Sequence, residues 1–121
     1  KQVRDVLWID DLVDAYIALF NNSDKASGQI FNLGGGSDFT LSLNELVENL
    51  SKQKVLNSMP EISQWRPGDQ KVYISNIKKI KNLTGWKPKT NPKQGLKILI
   101  DWCKNNANLL GDVLNKQENL K

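Results

Sequence analysis

Residues 2–15 read Gln2-Val3-Arg4-Asp5-Val6-Leu7-Trp8-Ile9-Asp10-Asp11-Leu12-Val13-Asp14-Ala15, and this stretch decides the fold class. Val3, Val6, Leu7 and Ile9 predict a short extended segment that ends at Asp10-Asp11. A helix is expected from about Leu12 to Phe20, with Asp11 as its N-cap and Asp14 in its first turn, where the helix dipole favours an acid. Extended backbone giving way at once to helix points to an α/β class, or α+β for the piece taken alone: helices with a few short strands.

Outward from there, Asn21-Asn22-Ser23-Asp24 breaks the helix, and Gln29–Leu33 predicts a compact strand ended by Gly34-Gly35-Gly36. Ser42-Leu43-Asn44-Glu45 is a capping box, opening a helix with Leu43, Leu46, Val47 and Leu50 on one face. Residues 52–64 are less regular; a strand is expected near Val55–Met59, with Pro60 placing it at an edge or ending it early. Trp65-Arg66-Pro67-Gly68-Asp69 is a turn, Val72-Tyr73-Ile74 a brief strand, and Ser75 or Asn76 caps a short helix closed by Gly85. Asn91 caps the last clear helix, with Pro92 at its first position and Leu96, Leu99, Ile100 and Cys103 at helical spacing. The pattern weakens beyond Asn105, so residues 1–104 are expected to form one lobe and 105–121 a tail, a short helix or mobile.

Composition narrows the chemistry. The chain has 121 residues and no histidine, which excludes histidine general bases, serine–histidine and cysteine–histidine catalysis, and histidine–metal sites. Its single cysteine, Cys103, permits no internal disulfide and fits a reducing, cytoplasmic setting. No basic start runs into an apolar stretch and no segment is long enough to span a bilayer, so neither a leader nor a membrane partner is expected. Charge is uneven: residues 1–70 hold 6 basic and 10 acidic side chains, whereas 71–104 hold 9 lysines and one acid, Asp101. Such a run is either a solvated helix face or a surface for an anionic partner.

Several motifs have a plain reading beside a chemical one. Asp10-Asp11-Leu12-Val13-Asp14 spells DDxxD, a magnesium-diphosphate pattern, yet it lacks the helical bundle and second acidic cluster that this chemistry needs; capping explains the acids, and no metal is expected. The glycine triplet after a strand partly matches a dinucleotide-binding turn, but Phe39 stands where G-x-G-x-x-G requires its third glycine, and a tight turn with positive φ suffices. Cys103 lies on an apolar face and reads as core. The four tryptophans read as packing residues, with Trp8 and Trp65 the candidates for ligand contact because they flank arginines. Of 17 basic residues only Arg4 and Arg66 are arginines, both at element ends beside acids. A guanidinium is a planar fork that grips phosphate at two points, so the pair suggests a pyrophosphate or carboxylate clamp; the alternative is a structural ion pair with Asp5 or Asp69.

Six segments resemble, in order and spacing, the extended short-chain dehydrogenase/reductases that act on nucleotide sugars: residues 1–7, 9–15, 28–36, 41–46, 66–70 and 83–88. The resemblance covers residues 1 to about 104 and implies a small C-terminal substrate-binding lobe whose Rossmann domain is missing. In that family the N-terminal domain holds NAD(P) and the lobe closes over a nucleoside diphosphate-sugar. Carried over by position, Arg4 and Arg66 would grip the pyrophosphate, Asp69 would bond the ribose and Gln2 is a weaker candidate, while Asp11, Asn32 and Trp86 match structural positions. The family's Tyr-x-x-x-Lys pair has no counterpart, since Tyr16 is followed four residues on by Phe20 and Tyr73 by Ile77; no catalytic or cofactor-binding residue is therefore expected in this piece, and NAD would serve the longer parent. Gln2–Leu7 and Trp65–Gln70 look most like CDP-paratose 2-epimerases, which oxidise a ring hydroxyl with bound NAD and return the hydride to the other face. 4-Epimerases, 4,6-dehydratases and decarboxylases share the lobe. The expected partners are thus the sugar nucleotide, the missing domain and, for the parent, a second copy. A nucleic-acid-binding module using the lysines of 71–104, or a non-catalytic interaction domain, are the rivals.

Overall fold

The computed structural model describes residues 2–56, 58–61 and 63–111. Its centre is a three-residue strand, β1 (Val3–Asp5), which leads through Val6-Leu7-Trp8 into α1 (Ile9–Phe20) and then a single turn, α2 (Ser23–Ala26). β2 (Thr40–Ser42) runs directly into α3 (Leu43–Lys52); β3 (Val72–Tyr73) precedes α4 (Lys78–Thr84) and α5 (Pro92–Asn105). Residues 107–111 are again helical at the edge of the described residues, and most of the expected tail lies outside them.

The strands form one sheet in the order β2-β1-β3. β2 is antiparallel to β1 with Arg4 opposite Leu41, and β3 is parallel to it with Arg4 opposite Tyr73. Backbone bonds extend the pairing at both ends: Val6 N–H to Phe39 O at 2.8 Å, and Leu43 N–H to Gln2 O at 3.0 Å. A small α/β unit results, as expected.

Local signals hold where they are strongest. Ser42 Oγ accepts from the Glu45 amide at 3.2 Å, while Glu45 Oε2 accepts from the Ser42 amide at 2.8 Å, which completes the capping box. Asn91 Oδ1 accepts from the Gln94 amide at 3.0 Å with Pro92 at the first helical position. Gly85 ends α4 in the left-handed region at φ 75°, where a side chain would be strained.

Other expectations change. α1 begins at Ile9 rather than Leu12, and its N-cap is Trp8 without a side-chain bond. Asp11 is therefore inside the helix and buried, so it caps nothing at this end. Gln29–Leu33 has no strand partner among the described residues: no neighbouring segment offers it a hydrogen-bonded ladder, and Lys79 Nζ instead bonds Ile30 O at 2.9 Å. Thr40–Ser42 is the strand that pairs β1. No strand forms over the described part of Val55–Met59. Asn76 only partly meets its capping role, accepting from the Lys78 amide at 3.1 Å while the helix itself starts from Ile77.

The core lies between α1 and α4. Ala15 and Ile80 are fully buried and Trp86 nearly so, packed with Leu7, Ala18, Leu19, Phe31, Leu33 and Ile77. Trp86 Nε1 donates to Asp11 O at 3.0 Å, so the indole is buried with its polar atom paired. Ile100 of α5 is also buried, whereas Leu99 faces solvent and Cys103 is only half-buried, a looser setting than a core cysteine.

Candidate functional site

Arg4 sits in the middle of β1, and the parallel pairing with β3 brings the end of the 65–71 segment to it. Its NH2 donates to Gln70 O at 2.8 Å and its NH1 to Val3 O at 2.9 Å. One residue on, Lys71 O accepts the Val3 amide at 2.9 Å. Two hydrogen bonds thus fasten the turn to the strand. The ion pair with Asp5 considered above does not form: Asp5 Oδ2 accepts instead from the Gly36 and Ser75 amides, each at 3.1 Å.

The turn itself is closed by its sequence. Pro67 takes the second place and Gly68 the third at φ 84°, with the Asp69 amide bonded to Arg66 O at 3.2 Å, the residue pattern of a type II turn. Arg66 Nε lies 3.3 Å from Asp69 Oδ2, and the Arg66 side chain is 83% exposed against 26% for Asp69. The structural pairing with Asp69 therefore exists, but it engages only Nε. Both terminal nitrogens of the Arg66 fork lack a partner among the described residues. An exposed pair of this kind contributes little to stability. Gln2, half-buried just before β1, is held through its backbone by Leu43.

Arg4, Arg66 and Asp69 line neither of two shallow clefts, of about 450 and 460 Å³, beside the glycine turn and between α3 and α5. Arg66 is on open surface and Arg4 is half-buried on its strand; neither stands in an enclosed pocket.

The DDxxD acids are all engaged by the protein. Asp10 Oδ2 accepts Trp8 Nε1 at 2.9 Å; Asp11 Oδ2 accepts the Lys89 and Thr90 amides at 3.1 and 2.8 Å; Asp14 pairs with Lys89 Nζ at 2.8 Å. The Asp14 carboxylate raises the Lys89 ammonium above its ordinary value, chiefly through that hydrogen bond. No group of side chains able to hold a metal occurs among the described residues.

The glycine turn is occupied by the protein too. A Cβ on Gly34 would overlap the Asp5 carboxylate and Ser75, and one on Gly35 would overlap Val6 O. Only Gly36 has positive φ, 66°. The first two glycines thus serve close backbone packing, and Asp5, Ser75 and Val6 fill the space at them that a dinucleotide-binding turn would leave for its ligand. Trp8 lies against Gly95 of α5, where an added Cβ would come within 3.1 Å of its ring, so Trp8 is a packing residue. Four of the nine lysines of 71–104 have partners at the protein surface: Lys71 with Trp65, Lys79 with Ile30 and Phe31, Lys89 with Asp14 and Lys97 with Asp101. Sequence reasoning missed Asp5, Gln70 and Lys71 as the residues that assemble this region; two of them act through backbone carbonyls, which leave no residue-type signal.

No protein-family model matches the chain. It is 37% identical over 102 residues to the CDP-paratose 2-epimerase of Salmonella typhi, covering 84% of this chain and 30% of that protein. Among solved structures it superposes on UDP-glucose 4-epimerase with UDP-glucose from Thermotoga maritima at a TM-score of 0.73 and 26% identity, covering 88% of this chain and 33% of that one. It matches dTDP-glucose 4,6-dehydratase from Bacillus anthracis in complex with NAD at 0.70 and 27%, covering 87% and 32%. The chain belongs to the extended short-chain dehydrogenase/reductase family of nucleotide-sugar epimerases and dehydratases. NAD is the cofactor found with members of that family, as in the B. anthracis enzyme. The chain spans about a third of the length of the relatives it matches. Among the described residues no helix is long and apolar enough to cross a membrane.

Proposed function

We propose that this chain is the nucleoside-diphosphate-sugar-gripping lobe of a cytoplasmic, NAD-dependent sugar-nucleotide epimerase of the CDP-paratose 2-epimerase kind. The observation that carries the proposal is the coupling of Arg4 to the Arg66–Asp69 turn. Two guanidiniums stand on an adjoining strand and turn, the first fixed by two carbonyls and the second with no partner at either terminal nitrogen among the described residues. A pyrophosphate offers oxygens that can accept bidentately from such forks. Asp69, half-buried and turned toward Arg66 Nε, holds the second fork and has a further oxygen for a ribose hydroxyl. Gln2 stands two residues before Arg4, on the same alternation of the extended chain.

The reacting groups and the cofactor belong to the rest of a longer protein, and the exposed face of α1 supports this. Ile9, Val13, Tyr16, Ile17 and Phe20 are all exposed, while Asp11 and Ala15 on the other side are buried. A helix apolar on both sides is the middle layer of something larger. Ile30, 86% exposed, adds to the same unpartnered apolar surface.

The test is kinetic, in the full-length protein with CDP-sugar substrate. Arg66→Ala and Arg4→Ala should each raise KM by tenfold or more, because a charged hydrogen-bonding group to phosphate is lost. An unchanged KM in Arg66→Ala disposes of the grip. The 121-residue chain alone should show no epimerase turnover, and measurable turnover would contradict the division of labour.

A further inference from the structure

Trp65 precedes the free arginine and is 44% exposed, a costly position for an indole. It is held there. Lys71 Nζ lies 5.8 Å from its ring centroid, a cation–π contact that occupies one face. The same Lys71 accepts the Val3 amide through its carbonyl, and neighbouring Gln70 accepts Arg4. The indole, the Arg66 fork and the strand bearing Arg4 are thus linked through one short segment, the indole by its cation–π contact and the strand by hydrogen bonds. Residues 63–68 are all exposed, so among the described residues no element buries the ring.

A nucleoside diphosphate runs from its phosphates through one ribose to a flat aromatic base. With the phosphates on Arg66 and the ribose at Asp69, the base comes down within a few bonds of the residue next to Arg66. We infer that Trp65 is the stacking platform for the nucleobase, and that it makes the grip selective for nucleotides over bare diphosphates. The inference rests on the grip proposed above. Stacking on an aromatic face tolerates any base, so Trp65 contributes affinity for the nucleoside without choosing among bases.

The experiment is calorimetric titration of the full-length protein with CDP, UDP, dTDP and inorganic pyrophosphate, in wild type, W65A, W65F and R66A. W65A should weaken the tightest-bound nucleoside diphosphate about tenfold and leave pyrophosphate within about twofold, with W65F recovering most of the loss. Equal weakening of nucleotide and pyrophosphate in W65A would show that the indole only shapes the turn, and would overturn the inference. No weakening in W65A, no recovery in W65F, or a wild type that binds no nucleoside diphosphate more tightly than pyrophosphate would overturn it as well. R66A separates the two ideas. Loss of pyrophosphate in R66A upholds the grip whatever Trp65 does, and an R66A protein that binds every ligand normally removes the grip, while a nucleotide-selective loss in W65A still reports the base contact.

Discussion

Replacing Asp11 first by alanine and then by asparagine separates acceptor geometry from charge at the one buried carboxylate that ties the two halves of the lobe together. Asp11 is 4% exposed, and a single oxygen, Oδ2, accepts the amides of Thr90 at 2.8 Å and Lys89 at 3.1 Å. These bonds join α1 to the segment that leads into α5. Alanine leaves both amides without an acceptor, at about 1–3 kcal/mol each. Because the site is only partly closed to water, the lower part of that range applies, and D11A should cost about 2–4 kcal/mol. Asparagine can place its amide oxygen where Oδ2 stood and accept both bonds, losing only charge assistance, about 1 kcal/mol. The bond from Trp86 Nε1 uses the Asp11 backbone carbonyl and survives both changes. The assay is urea unfolding of the full-length protein together with hydrogen exchange resolved over residues 86–91. D11A should raise exchange at Lys89 and Thr90 strongly, and D11N slightly. Equal losses in D11A and D11N, or unchanged exchange at those amides in D11A, would refute the reasoning.

Ile80 is fully buried against α1, so Ile80→Ala should cost about 2–5 kcal/mol, read as a lower urea midpoint at unchanged slope. Gly34→Ala drives a methyl into the Asp5 carboxylate and Ser75 and should destabilise by roughly 1–3 kcal/mol; Gly68→Ala meets open space and costs only its backbone strain at φ 84°, about 1 kcal/mol by the same unfolding assay. The Ser42 hydroxyl and amide hold the Glu45 carboxyl below its ordinary value. A depressed folded value means that the capping box stabilises α3 above the unfolded carboxylate range and loses that contribution as pH falls through the folded one; exchange protection of α3 should drop on this acid side in wild type and be flat there in Glu45→Gln.

The parts of the fold legible in the sequence are those whose cause is local. Ser42 with Glu45, Asn91 with Pro92, and Gly85 each satisfy helix ends within a few residues, and each stands where expected. Strand pairing is a relation between distant segments. Gln29–Leu33 has strand composition but no strand partner among the described residues, whereas Thr40–Ser42 pairs because β1 lies beside it. Asp11 misleads for the same reason. An acid at a helix start resembles a cap, and only the fold reveals that its partners lie at residues 89 and 90. Residue type singled out Arg4 and Arg66, because a rare planar cation at an element end is a chemical signal, whereas the ribose role of Asp69 came from the family resemblance alone. The carbonyls of Gln70 and Lys71 that join strand to turn belong to the backbone, and no side chain announces them.

Two kinds of incompleteness meet at β1. Arg66 is exposed and engaged only through Nε, and the outer face of α1 is apolar and uncovered, among the described residues. β1 passes into α1 through only Val6, Leu7 and Trp8, so whatever body rests on α1 lies a short strand away from Arg4. On the proposed reading, one contact would serve two ends: burying the α1 stripe would supply the apolar burial that a core centred on Ala15, Ile80 and Trp86 leaves unmet, and would bring a second wall toward the guanidiniums. On the same reading, closing the wall would also lower the local dielectric around Arg4 and Arg66, and so would strengthen the proposed hold on a diphosphate over what open surface allows.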